Sequence, residues 1–216
     1  KSFDVPKMAI QVQRSVEVDH LNLQSKILTA DIEGKIDLNT IEQDIKNQFS
    51  RILPALFTYQ KLPKSKIDNK FKFNFNIGDI DDILNVFAPD LVISSGTTII
   101  GNFEGKADDF VMDVNSPFTR YGKMYATEIV LHQELLNASL SADYKARSFN
   151  LNDSTSVLNP SFIAKGSNGD IHSTLSWNPQ TTNMSFFEWN TQILGLDKIN
   201  VEILPSYFNI KEHRWD

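Results

Sequence analysis

The sequence predicts a mainly β protein with two short amphipathic helices. Apolar and polar residues alternate with period two over many short runs, as in strands that bury one face. Two stretches, near 40–53 and 79–87, instead repeat apolar residues at a helical period. Turn-forming sequences such as Ser167-Asn-Gly169 separate the alternating runs. No Gly/Ser linker divides the chain, so we expect a single β-rich unit over residues 1–216.

The longer helical stretch carries one apolar stripe. Its members are Leu38, Ile41, Ile45, Phe49, Ile52, Leu53 and Leu56. Of these, Ile41, Ile45, Phe49 and Ile52 are the candidates for packing on the sheet or plugging one end of it. Asn39 or Thr40 can cap the start, and Pro54 ends the helix because proline supplies no N–H to the helix ladder. In a β-rich chain such a stripe has to pack on a sheet or on a partner. We therefore expect Ile45 and Phe49 to be buried against the sheet or to plug one end of it.

The clearest strand signal is the segment Phe71–Ile77, in which large apolar residues alternate strictly with polar ones. Neighbouring side chains leave a strand on opposite faces, so the odd-numbered and even-numbered positions should face opposite ways. Shorter alternating runs supply apolar residues at equivalent positions. The candidate apolar set is Phe71, Phe73, Phe75, Ile77, Ile32, Ile99, Phe103, Phe110, Met112 and Val114, with Lys72, Asn74 and Asn76 expected on the polar face.

Two interpretations of these apolar faces follow from the residues. The faces can close on one another as the core of a β-sandwich, with the helix as a lid. Alternatively, a curved sheet can leave its apolar face partly unfilled, forming a groove for acyl chains or for an unfolded hydrophobic segment. Both arrangements use the same alternation, so the pattern by itself does not separate them.

Composition and motifs argue against several functional classes. The net charge is −6 and no basic stripe is visible, which argues against binding nucleic acid. The chain has no cysteine, and its four histidines lack the spacing of metal ligands. No phosphate-binding, dinucleotide-binding or nucleophile-elbow motif occurs, and nothing brings two carboxylates together across a cleft. We therefore predict a non-enzymatic protein without metal or cofactor.

Several sequence segments occur in an order that is similar to their order in a known protein family. They are Gly34–Leu38, the helix ending in Ile52–Leu56, the strand Phe71–Ile77, and a short helix followed by Ala88–Leu91. Toward the C terminus follow Asp170-Ile171, Leu175–Asn178, Leu204–Ile210 and Arg214-Trp215. This order, from about Leu28 to Trp215, resembles TamB-like translocation and assembly proteins of the Bacteroidetes type.

The resemblance implies a fold and a cellular setting. The fold would be a long curved antiparallel sheet rolled into a taco-like apolar groove. The chain would be a periplasmic segment of a longer, membrane-associated envelope protein, anchored in the inner membrane by a helix outside this sequence. Phospholipid acyl chains would bind in the groove, for lipid transport between membranes or for outer-membrane biogenesis, together with an outer-membrane barrel assembly protein of the TamA type.

A different functional class remains open from the residues. A β-sandwich adhesin or carbohydrate-binding module would present exposed Tyr and Trp as a platform for sugars. The aromatic residues of this chain are mainly Phe, which lacks a polar group, and this composition favours the acyl-binding interpretation.

Overall fold

The computed structural model describes residues 7–57, 68–107, 109–152, 155–179, 184–210 and 213–215. Within these ranges, fifteen of the seventeen strands form one antiparallel sheet that is not closed into a barrel, and two short helices accompany it. The predicted fold class, a mainly β chain with one long sheet and two helices, is confirmed. The β-sandwich alternative is wrong, because strands from both halves of the chain belong to the same sheet.

The elements follow one another in a simple order. The strands are β1 Met8–Arg14, β2 Asp19–Ser25, β3 Leu28–Lys35, β4 Lys70–Ile77, β5 Leu91–Ile93, β6 Thr98–Glu104, β7 Asp109–Tyr121, β8 Met124–Leu136, β9 Ser139–Lys145, β10 Ser148–Asn152, β11 Thr155–Leu158, β12 Ser161–Ser167, β13 Asp170–Trp177, β14 Ser185–Ile193, β15 Ile199–Ile203, β16 Phe208–Ile210 and β17 His213–Trp215. The helices, α1 Ile41–Ile52 and α2 Asp81–Phe87, lie within the two stretches where the helical period predicts them.

The sheet has one main path and a fork. The path runs β1-β2-β3-β4-β6-β7-β8-β9-β12-β13-β14-β15, and every neighbouring pair is antiparallel. Strands β7 and β8 are each 13 residues long. The last residues of β7 and the first residues of β8 extend beyond the main path. There β5 pairs with residues 119–121 of β7, and the β10–β11 hairpin pairs with residues 125–127 of β8. The sheet therefore splits at β8 into β9 and β10.

Helix α1 lies across one end of the sheet, which we call the α1 end. The Gln48 side chain donates to the carbonyl of Glu104 at 3.4 Å, at the turn between β6 and β7. The amide of Gly169, in the turn between β12 and β13, donates to the carbonyl of Ile52 at 2.6 Å. Four strands separate these two turns along the sheet, so α1 bridges distant parts of the sheet and does not pack on a single hairpin.

The face that α1 buries is mostly polar. Asn47 and Gln48 are buried together with Ile52, whereas Ile41 and Phe49 are half-buried. Ile45 is 37% exposed, so it is not buried against the sheet as the apolar stripe predicts. The hydrogen bonds of Gln48 and of the Ile52 carbonyl to two distant turns fix the rotation of the helix, because a buried polar group that lost its partner would cost more than the partial exposure of one isoleucine.

Candidate functional site: an apolar sheet face

The register places all ten candidate apolar residues on one side of the sheet. Directly opposite pairs are Ile32 with Phe73, Phe71 with Phe103, Phe75 with Ile99, Phe103 with Phe110, Ile99 with Val114, and Gly101 with both Phe73 and Met112. Directly opposite residues project to the same face of an antiparallel pair. We call this side the apolar face. Lys72, Asn74 and Asn76 are exposed on the opposite side, where their partners on β3 include Asp31 and Glu33.

The apolar face continues well beyond the strands that the sequence singles out. The same register carries it through β8, β9, β12, β13, β14 and β15 in one direction and through β2 and β1 in the other. Its further large members are Ile10, Val12, Leu21, Leu23, Leu131, Leu135, Leu140, Tyr144, Phe162, Ile171, Leu175, Trp177, Phe187, Trp189, Val201 and Ile203. Period-two alternation marks some of these strands as well, but small or polar residues such as Ala142 and Ser173 interrupt it.

Aromatic rings cover two regions of the apolar face. Phe71, Phe73, Phe75, Phe103 and Phe110 form one cluster, with ring centroids 5.3 to 6.3 Å apart. In the second region, Trp189 lies 5.9 Å from Phe162 and 5.3 Å from Phe187, again between ring centroids. Such spacings are those of favourable aromatic pairs. The rings therefore give each of these two regions a closely packed apolar surface.

Gly101 makes room for the first aromatic cluster. It lies opposite Phe73, and a Cβ at this position would stand 2.5 Å from Phe73 Cζ and would overlap the carbonyl oxygen of Val111. The Phe73 ring therefore occupies the space that a side chain at position 101 would need. Glycine in the interior of a strand often marks such a close approach.

The apolar face is only partly covered. Of the ten candidate residues, Phe73 and Phe103 are buried, at 7% and 2% exposure, and the other eight are half-buried. Exposure increases toward both margins of the sheet and reaches 61% at Ile10 on β1 and 63% at Ile203 on β15. Apolar surface left in water costs roughly 25 cal/mol per Å² relative to burial, so a ligand that covers this face gains free energy.

The fork in the sheet encloses an apolar pocket of about 470 Å³, which we call the fork pocket. It is lined by Tyr144, Phe149, Leu151, Val157, Pro160, Phe162, Leu175 and Trp177. Tyr144, Phe162, Leu175 and Trp177 also belong to the apolar face, so the pocket is continuous with that face. Burial raises the pKa of the Tyr144 hydroxyl, which therefore stays neutral at physiological pH. A volume of this size lies in the range of small-molecule sites.

The opposite side of the sheet carries a network of charged side chains on β7 and β8. His132 Nδ1 lies 2.7 Å from Asp113 Oδ1, and its Nε2 lies 3.2 Å from Glu134 Oε1. Hydrogen bonds to these two carboxylates raise the pKa of the imidazole. Among the described residues, no group of three or more His, Cys, Asp or Glu side chains is placed to hold a metal ion. No helix in the described ranges is long and apolar enough to cross a membrane.

Comparison of the chain with protein-family models, with curated proteins and with solved structures finds no match.

Proposed function

We propose that this protein is a non-enzymatic binder of acyl chains and that the apolar face is its binding groove. The observation that supports this proposal is that the apolar face is continuous and that its side chains remain accessible. One apolar face extends over the twelve strands of the main path, and most of its large residues remain half-buried or exposed. A globular core would bury these side chains, whereas a groove for a mobile apolar ligand leaves them within reach of it.

The transfer of an acyl chain from water to such a groove is favourable in free energy. Each methylene of an acyl chain gains roughly 0.8 kcal/mol when it leaves water. Because the face is apolar along its whole length, a chain can slide along it with little change in this free energy. Passage therefore needs no covalent step. The polar groups of the ligand would stay at the open margin, since burying them without hydrogen-bond partners is costly.

The lining favours acyl chains over sugars. Trp177 and Trp189 lie on the apolar face among Phe162, Leu175 and Phe187, and the serines directly opposite the two tryptophans are buried. Recognition of a sugar needs polar groups placed around the aromatic platform, because sugar hydroxyls lose hydrogen bonds to water on binding. The adhesin or carbohydrate-binding alternative therefore receives less support from this site.

We further propose a cellular setting that follows from the family resemblance of the sequence. The chain would be a periplasmic segment of a TamB-like envelope protein, with an inner-membrane anchor outside this sequence and a TamA-type barrel protein as its outer-membrane partner. Phospholipid transfer between the membranes, or outer-membrane protein assembly, would then use the apolar face. The long single sheet with one apolar side is the architecture that this assignment requires.

A pair of photoreactive probes tests the binding proposal. One variant carries a photo-cross-linking amino acid in place of Phe75, a half-buried residue of the apolar face, and the matched control carries it in place of Asn74, the neighbouring residue on the opposite face. After incubation with phospholipid vesicles and irradiation, we expect lipid adducts at position 75 only. Equal adducts at both positions, or none at either in folded protein, would reject the groove.

A carboxylate introduced on β4 supplies a second test of lipid binding. Phe73→Asp puts an unpaired carboxylate on the apolar face, whereas Asn74→Asp adds the same charge to the polar side. With the photoreactive probe at position 75, whose native ring centroid lies 5.3 Å from that of Phe73, the yield of adducts reports lipid beside the introduced charge. We expect adducts in Asn74→Asp as in the protein without the added charge, and loss of adducts in Phe73→Asp at temperatures where circular dichroism shows that it is folded.

A further inference from the structure

Both margins of the main path are strands with one free edge. Within the described residues, β1 pairs only with β2, and β15 pairs only with β14. All residues of both strands are exposed. Neither strand contains proline, and neither register is broken by a bulge. Natural sheets usually blunt their edges with such features, so these two edges are open to pairing with another strand.

The direction of the two edge strands makes them compatible with each other. The main path contains twelve strands, and each neighbouring pair is antiparallel. Because this number is even, β1 and β15 run in opposite directions. If a second copy of the chain is placed with its β1 beside β15 of the first, the two strands are antiparallel. The apolar faces of the two copies then lie on the same side.

The side chains of the two edges also match in register. When Ile10 is opposite Val201, Met8 is opposite Ile203 and Val12 is opposite Ile199, and these six apolar side chains extend the apolar face. Ala9 then lies opposite Glu202, and Gln11 lies opposite Asn200, on the polar side. A slip by one residue would place polar groups on the apolar face, so period-two geometry disfavours it. The matching register uses all five residues of β15.

We propose that a second copy of this chain docks head to tail, with its β1 edge on the β15 edge of the first, and prolongs the apolar face from one copy to the next. Backbone hydrogen bonds of the new ladder and the apolar cross-strand pairs stabilise the contact. The two surfaces differ, so the contact is heterologous and repeats from copy to copy, giving an open filament unless the rotation between copies closes a ring. It therefore produces a series of oligomers and not a closed dimer. The inference holds whether or not the apolar face binds lipid.

Engineered cysteines test the contact directly, because the chain has no cysteine of its own. Directly opposite residues of an antiparallel pair have Cα atoms about 4.5–5.5 Å apart, within the range that a disulfide spans. The double variant Ile10→Cys with Val201→Cys should therefore form, on mild oxidation, a ladder of dimers, trimers and larger species that a thiol reductant dissolves. The matched control is Gln11→Cys with Val201→Cys, whose new thiols point to opposite faces, and we expect it to stay uncross-linked.

Three outcomes would overturn the proposal. The first is the absence of a ladder from the double variant when circular dichroism shows that it is folded. The second is an equal ladder from the control, which would mean that the oxidation is unspecific. The third is a dimer from the single variant Ile10→Cys that matches the yield of the double variant, which would indicate a symmetric β1–β1 pair. Sedimentation velocity on the cysteine-free chain provides an independent measure, with concentration-dependent association expected and its reduction by Val12→Lys.

Discussion

Asn69 anchors the start of α1 to the α1 end of the sheet, and its replacement by alanine should destabilise the fold. The residue is 1% exposed and lies just before β4. Its Nδ2 donates to Thr40 Oγ1 at 2.9 Å and to the Asp44 carboxylate. Its Oδ1 accepts from the Asp37 amide at 2.7 Å. Its backbone carbonyl accepts from the Gly105 amide, so the anchor connects α1 to the turn between β6 and β7.

The expected magnitude follows from these contacts. Alanine removes three side-chain hydrogen bonds, of which the one to Thr40 is buried and those to Asp37 and Asp44 are part-buried. A neutral bond contributes about 1 kcal/mol and a bond to a charged group about 1.5–3 kcal/mol. We therefore expect Asn69→Ala to lower the free energy of unfolding by about 3–5 kcal/mol. For a chain of this size, that corresponds to a fall in Tm of roughly 6–20 °C.

Urea denaturation followed by circular dichroism measures this loss, with the m-value as a check that both states keep their compactness. The matched control is Asn39→Ala, which removes an exposed amide that donates to Asp37 Oδ1 at 3.0 Å. Its cost should stay within about 0.5 kcal/mol. A loss below about 1 kcal/mol for Asn69→Ala, or equal losses for the two variants, would refute the idea that Asn69 fixes the helix.

Three further predictions concern packing and charge. Gly101→Ala should cost about 1–3 kcal/mol because its Cβ would overlap a neighbouring strand, whereas Gly195→Ala, which meets only a flexible carboxylate, should be nearly neutral in the same denaturation assay. Ile52→Ala should cost about 2–5 kcal/mol, and the partly exposed Ile45→Ala under about 1 kcal/mol. The raised pKa of His132 means that its charged form stabilises the fold below pH 6.5, and this contribution disappears as pH rises through the folded-state pKa. The Tm advantage of wild type over His132→Gln should therefore be largest near pH 5.5 and vanish at alkaline pH; an advantage independent of pH would contradict this.

The sequence by itself determined the local features of this protein. The alternation from Phe71 to Ile77 assigned each side chain to a face, because successive residues of a strand must point in opposite directions. The helical period located both helices, since the spacing of apolar residues is a local property. The ten candidate apolar residues share one face in the structure, because residues on alternating positions of paired strands project together once the strands are in register.

The tertiary structure decided how these local features are joined. A sandwich core and a single open sheet use the same alternation, and only long-range strand pairing distinguishes them. The rotation of α1 depends on hydrogen bonds to Asn69, Glu104 and Gly169, which lie far away in sequence, so the apolar stripe did not predict that Ile45 would be exposed. The fork pocket exists because β8 pairs with both β9 and β10, a branching that no periodicity encodes. The free edges of β1 and β15 likewise follow from the order of strand pairing, since a strand's own residues do not specify whether both of its edges pair with another strand.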